Sequence, residues 1–214
     1  MIPKTLHRAA CALAAAAVLS VASAPGRATT VQPMTIVDLL DHAQTIVAGR
    51  VTKVTDGFDG KGIPYTEVTL NVSDSIRGQK GSTYTFRQFG LAEPRKMPDG
   101  RVHLGARPAG WPTWRAGESA IVFLYPKAKY TGLQTTVGLG YGKLSTGNGA
   151  ALNAHDNATL FHNVNVNRAL LDSAEVQMVD TRQGPVNEAT LRKFLHRAVD
   201  GNWTKNGSIA NAKR

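Results

Sequence analysis

Apolar and polar residues alternate most cleanly in YTEVTLNVSDSI, residues 65–76. Val68, Leu70 and Val72 fall on one face of an extended segment, and Glu67, Thr69, Asn71 and Ser73 on the other, which predicts a half-buried strand. The β-branched run TIVAGRVTKVTDGFD, 45–59, predicts a strand before it, ended by the glycine- and aspartate-rich turn DGFDGKGIP. TYTFRQFG, 83–90, predicts a third strand, joined to the second as a hairpin through RGQKGS. SAIVFLYP, 119–126, is apolar on both faces, as a central strand covered on both sides would be. LQTTVGLGYGKLSTG, 133–147, predicts a fifth strand.

Two stretches change to helical spacing. In TIVDLLDHA, 35–43, Ile36, Leu39, Leu40 and Ala43 share a face, and Thr35 with Asp38 makes a capping-box variant. In NEATLRKFLHRAVDGN, 187–202, Leu191, Phe194, Leu195 and Ala198 form a stripe, with Gly201 as the stop. The polar segment 148–185 predicts a short helix at VNRALLDS, 166–173, and a short strand at AEVQMV, 174–179. Residues 90–113 have no sustained period and predict a long irregular loop, with RVHL as a short strand inside it. A flexible tail is expected over 203–214. The whole reads as one mainly β domain, 29–202: a small antiparallel barrel or strongly curved sheet with a C-terminal α-helix.

The first residues have a different character. Lys4 and Arg8 precede the small apolar run AACALAAAAVLSVASA, 9–24, which predicts a secretory signal peptide over 1–28. Cleavage is expected after Ala24 or Ala28, with Ala28 favoured because Pro25 would follow the first site. The expected destination is secreted or periplasmic, with no membrane anchor after cleavage. Cys11, the one cysteine, lies inside the leader, so disulfides, thiolate metal sites and a cysteine nucleophile are excluded from the mature chain. The formal charge of the full chain is +10. Cleavage removes Lys4, Arg8 and Arg27 and no acid, so the mature chain stays basic, which favours encounter with anionic partners.

AQTIVAGRVTKVT, YTEVTLNVSDSIRGQKGSTYTFRQFG, WRAGESAIVFLYP and TVGLGYGKL together resemble a group of uncharacterised exported bacterial proteins. Their frame is similar to that of netrin-like domains, which include the tissue inhibitors of metalloproteinases. The resemblance spans roughly 35–147 and implies an OB-type barrel. It does not carry over the inhibitory mechanism, which depends on an N-terminal cysteine that this mature chain lacks.

Candidate chemistry is sparse. Gly138, Gly140 and Gly142 would line one face of the fifth strand and permit a bend or close approach. The residues around Gly142 and Lys143 do not have phosphate-loop spacing. Counted as a calcium loop from Asp56, the third, fifth and sixth positions are Phe58, Gly60 and Lys61, which argues for a solvated turn. His155, Asp156 and His162 lack metal-ligand spacing. No serine-hydrolase motif occurs. No catalytic residue, metal ligand or cofactor is therefore assigned.

The expected binding surface is the irregular loop, with Arg95, Lys96, Arg101, Arg107, Trp111, Trp114 and Arg115. Arginine beside tryptophan can stack on planar groups and clamp anions, and OB-type barrels bind oligomers across their loops. Trp114 stands where the family frame has a core aromatic, which leaves Trp111 as the open question. The expected function is an exported non-enzymatic binding module for an anionic polymer or an exported protein. The alternatives are a protease-inhibitor-like interaction protein and a hydrolase with an unrecognised site.

Overall fold

The computed structural model describes residues 32–97, 99–105 and 109–212. The leader, with Cys11 and both cleavage positions, lies outside the described residues, as does Arg107. Strands β1 (Thr45–Phe58), β2 (Pro64–Arg77) and β3 (Thr83–Phe89) form an antiparallel meander, as the alternation predicts. A two-residue pair, β4 (Arg95–Lys96) and β5 (Val102–His103), stands apart within the long loop. Then β6 (Ser119–Leu124), β7 (Lys143–Gly147) and β8 (Ala150–Asn153) extend the main sheet. A short β9 (Val164–Val166) leads to β10 (Val186–Asn187), which closes the sheet order β10-β8-β7-β6-β1-β2-β3. The seven-stranded sheet is antiparallel and open, so the barrel alternative is not formed among the described strands.

Both faces of β6 are buried. On one, Ile121 and Phe123 join Ile46 and Ala48 under the helices α1 (Ile36–His42) and α3 (Glu188–Asp200), with Leu191, Phe194 and Leu195 of α3 in the same core. On the other, Ala120, Val122 and Leu124 meet Val47, Val51, Val68, Leu70 and Phe86, with Trp114 in the cluster. That second core comes from the sheet itself, because β1 and β2 are fourteen residues long and β1 is interrupted by three register shifts. Such irregularities bend and twist a strand.

Local rules explain the helices. The capping box of α1 is made, with Asp38 Oδ2 accepting the Thr35 N–H at 2.8 Å. Its C-terminal carbonyls are met by the Arg77 guanidinium, which donates to Leu40 O and to Ala43 O, the latter at 3.0 Å. Asn187 caps α3, its Oδ1 accepting the Thr190 N–H at 2.9 Å, and Gly201 ends the helix with φ −80°, in the right-handed region.

The structure corrects four expectations. AEVQMV is not a strand but most of helix α2 (Ser173–Asp180), because Asp172 and Glu175 form a capping box and Glu175, Met178 and Val179 recur at helical spacing on the buried side. VNRALLDS is not a helix; it holds the end of β9 and a single 3₁₀ turn, Arg168–Leu170. The fifth strand covers only its second half, as β7. Gly138 and Leu139 adopt left-handed φ values of 60° and 57°, and a 3₁₀ turn follows at Leu139–Gly142, so the three glycines share no strand face. The expected close approach does occur: a Cβ on Gly142 would lie 2.3 Å from the Val137 carbonyl oxygen. Lastly, residues 203–212 are not a flexible tail. Trp203 packs edge-on against Phe194 in the core, Ile209 is fully buried, and β11 (Ile209–Asn211) pairs with β9.

Candidate binding surface around Trp111

The segment 111–118 is pinned from beneath. Trp114 inserts into the second core edge-on to Phe86, and its indole Nε1 donates to Gln88 Oε1 at 3.2 Å. Gln88, fully buried on β3, donates in turn to the Pro112 carbonyl at 3.1 Å, so its amide has both ends occupied. Lys143 of β7 lies below the same segment. Its Nζ donates to the Thr113 carbonyl at 2.6 Å and to Glu118 Oε1 at 2.7 Å, and sits 4.5 Å from the Trp114 ring centroid. Glu118 also accepts the Arg115 N–H at 3.0 Å, which closes the turn into β6. Trp114 is therefore a core residue, and Lys143 clamps the loop above it.

Trp111 is free of that clamp. It is half-buried and meets Phe89 edge-on at 6.3 Å. Together with Tyr125, Pro126, Leu133 and Thr135 these two aromatics line an open cleft of about 290 Å³ whose walls are overwhelmingly apolar. The loop 126–132 forms one rim. It carries exposed Lys127, Lys129 and Tyr130, and it is folded by bonds from Ala128 N–H to Leu133 O and Gly132 N–H to Ala128 O, both 2.8 Å. Thr135 Oγ1 is buried without a hydrogen-bond partner in the cleft wall.

The loop cations expected beside Trp111 are placed elsewhere. Arg95 donates to the Asp56 carboxylate and to its backbone carbonyl, and Asp56 also accepts the Ala92 N–H, which ties the β4–β5 hairpin to β1. Arg101 pairs with Asp99 at 2.5 Å, and its hydrogen bond holds the Asp99 carboxyl below the usual carboxylate range. That pair is open to solvent, where ion pairs contribute little to stability. Lys96 and Arg115 are exposed and form no ion pair among the described residues. None of these cations lines the cleft. The structure thus joins Trp111 to Phe89, Tyr125 and Leu133, which sequence reasoning missed. A usable signal existed in YPKAKYTGL, 125–133, where aromatic and basic residues interleave directly after a strand.

Other candidates resolve into local roles. Asp59 Oδ1 accepts the N–H groups of Lys61 and Ile63, both at 2.8 Å, folding the 58–63 turn from within. His155 stacks on Tyr141 at 3.8 Å, and Asp156 accepts from Gln183 at 2.8 Å. Among the described residues no three His, Cys, Asp or Glu side chains are grouped for a metal ion. His196 and Asp74 pair at 2.8 Å, but the nearby Ser73 hydroxyl donates to Ala48 O at 3.2 Å rather than to the imidazole. No helix among the described residues is long and apolar enough to cross a membrane. Comparison with protein-family models, curated proteins and solved structures finds no match for this chain.

Proposed function

We propose that this is an exported, non-enzymatic binding module that takes an apolar or aromatic group of a partner protein into the cleft beside Trp111. The observation that carries this reading is the open cleft itself: partly exposed aromatics at the end of β3 and in the segments beside it, with one rim bearing Lys127, Lys129 and Tyr130. Tryptophan and tyrosine are enriched among the residues that dominate binding energy, and lysines on a rim steer encounter with acidic partners. An exported protein that offers an apolar side chain within an acidic stretch fits this surface. An anionic polymer fits less well, because Arg95 and Arg101 already face carboxylates.

The relation to OB-type barrels belongs to the same proposal. It is supported by one backbone bond, from Gln134 N–H to Arg87 O at 2.8 Å, which links β3 to the segment returning after β6.

The test is retention of partners from the exported fraction at low and high salt, with wild type and Trp111→Ala. A protein retained at both salt concentrations by wild type, and at least tenfold less by the variant, is the expected result for an aromatic hot spot. Retention lost at high salt and equal in the two proteins would replace this reading with a polyanion binder. Absence of any retained partner at low salt removes it.

A further inference from the structure

The face of the sheet under α3 changes character beyond the first turn of that helix. Asn71, Arg50, Ser119 and Thr146 are direct cross-strand partners on β2, β1, β6 and β7, so they form one polar rung on a shared face. With Gly49, Ser73, Gly147 and, from α3, Glu188 and Arg192, they enclose an open recess of about 360 Å³. A β-bulge builds its floor. Ala48 pairs with Asp74 and Gly49 with Val72, which leaves Ser73 as the extra residue. Only glycine fits at position 49, since a Cβ there would lie 2.3 Å from the Asn71 carbonyl oxygen. Bulges of this kind re-aim side chains and recur beside functional sites.

Much of the polar capacity of the recess is unused. Within it Arg192 donates to Glu188 at 2.5 Å and reaches Ser73 Oγ at 3.5 Å, while its Nε is buried without a partner. Asp74 lies 3.9 Å from Arg192 and is taken by His196. Among the described residues the guanidinium of Arg50, the amide of Asn71 and the hydroxyls of Ser119 and Thr146 have no hydrogen-bond or ion-pair partner. Glu188 is paired with Arg192, whereas Arg50 has no carboxylate partner among the described residues, so Arg50 is the free cation of the recess.

We propose that this recess binds an oxyanion group (carboxylate, sulfate or phosphate), with Arg50 as its charged donor and Asn71, Ser119 and Thr146 as neutral donors around it. A guanidinium fork matches such groups through paired hydrogen bonds. The site is separate from the Trp111 cleft and does not depend on it.

The test is an amide chemical-shift titration of the whole chain with sulfate, phosphate and glucuronate, with glucose as the uncharged control. At least one oxyanion saturates shifts at Arg50, Ser119 and Thr146, glucose does not, and Arg50→Gln weakens binding about tenfold or more. Thr146→Val weakens it less, and Trp111→Ala leaves it unchanged. Because Arg50 is exposed and unpaired, Arg50→Gln keeps the wild-type melting temperature, which separates lost binding from lost folding. Saturation by glucuronate alone identifies a carboxylated sugar; equal response to sulfate and phosphate identifies a simple oxyanion. The proposal is overturned if no oxyanion shifts these amides, or if Arg50→Gln binds as wild type does.

Discussion

Lys143 is the residue on which the loop carrying Trp111 depends. It has the exposure of a core residue and donates to both a backbone carbonyl and a carboxylate, beneath an indole ring. Lys143→Met keeps the aliphatic stem and removes the charge. Glu118 then loses its cation and the Thr113 carbonyl its donor, at a cost of about 2–4 kcal/mol, since breaking a largely buried pair leaves its partner uncompensated. Urea denaturation measures this, and adding Glu118→Gln to the variant recovers part of the loss if the two are coupled. Equal, additive losses would show that they act independently. The role of Lys143 was illegible in the sequence, where the glycines before it suggested a strand face and the lysine itself was tested only against phosphate-loop spacing. Trp114 was offered both as part of the binding surface and, through the family resemblance, as a core aromatic, and its burial against Phe86 decides for the core. Trp111 was legible as an anomaly only, since its neighbours Phe89 and Leu133 come from distant parts of the chain.

At the scale of elements, α2 and α3 are held together by charge as well as by packing. The Asp172 carboxyl is pulled below its usual range by its hydrogen bond to Lys193 of α3 and by the Glu175 N–H it caps. Asp180 is lowered in the same way by Arg168. Glu175, fully buried, accepts from Arg197 of α3. A carboxyl whose folded pKa lies below its unfolded value stabilises the fold above that unfolded value and loses the contribution as pH falls through the folded one. Stability from Asp172 and Asp180 is therefore constant near neutrality and declines below about pH 4. Asp172→Asn retains a capping oxygen and abolishes this titration, so its urea midpoint falls less steeply than that of wild type between about pH 4 and pH 2. Parallel curves would refute the clasp. These helices also mark where periodicity misleads. AEVQMV alternates well enough for a strand, and the decisive signal was the capping pair of Asp172, just upstream, with Glu175 inside it. The strands β1 to β3 and β6 were legible because burial on one or both faces imposed a period over many residues, whereas β9 and β11 span three residues each and exist only by pairing with one another.

For the molecule as a whole, the open side of the sheet is spanned by the segment 133–137, and Gln134 is its anchor. Its backbone N–H reaches Arg87 O on β3, its Oε1 accepts from Tyr84 at 2.8 Å, and its Nε2 donates to Tyr125 O at 2.7 Å. Tyr125 N–H bonds to Thr135 O at 3.0 Å, and Thr136 bridges Leu124, so one residue joins the β3 edge to the end of β6 across the second core. The same segment supplies Leu133 and Thr135 to the Trp111 cleft. The integrity of the site and the closure of the core are thus one structural problem. Gln134→Ala strands the Tyr125 carbonyl and the Tyr84 hydroxyl, at a cost of about 1–3 kcal/mol. The loss is local, because β1 and β2 pair with each other along their length, in a ladder that does not pass through the segment. Hydrogen exchange on the variant accordingly shows faster exchange at the amides of Tyr125, Gln134 and Val137, while those in the middle of β1 and β2 change only by the global loss of stability. If the opening also admits water to the second core, the Trp114 emission shifts to the red. Equal acceleration at every amide would mean that the segment unfolds only with the whole molecule, and that the cleft is as rigid as the sheet beneath it.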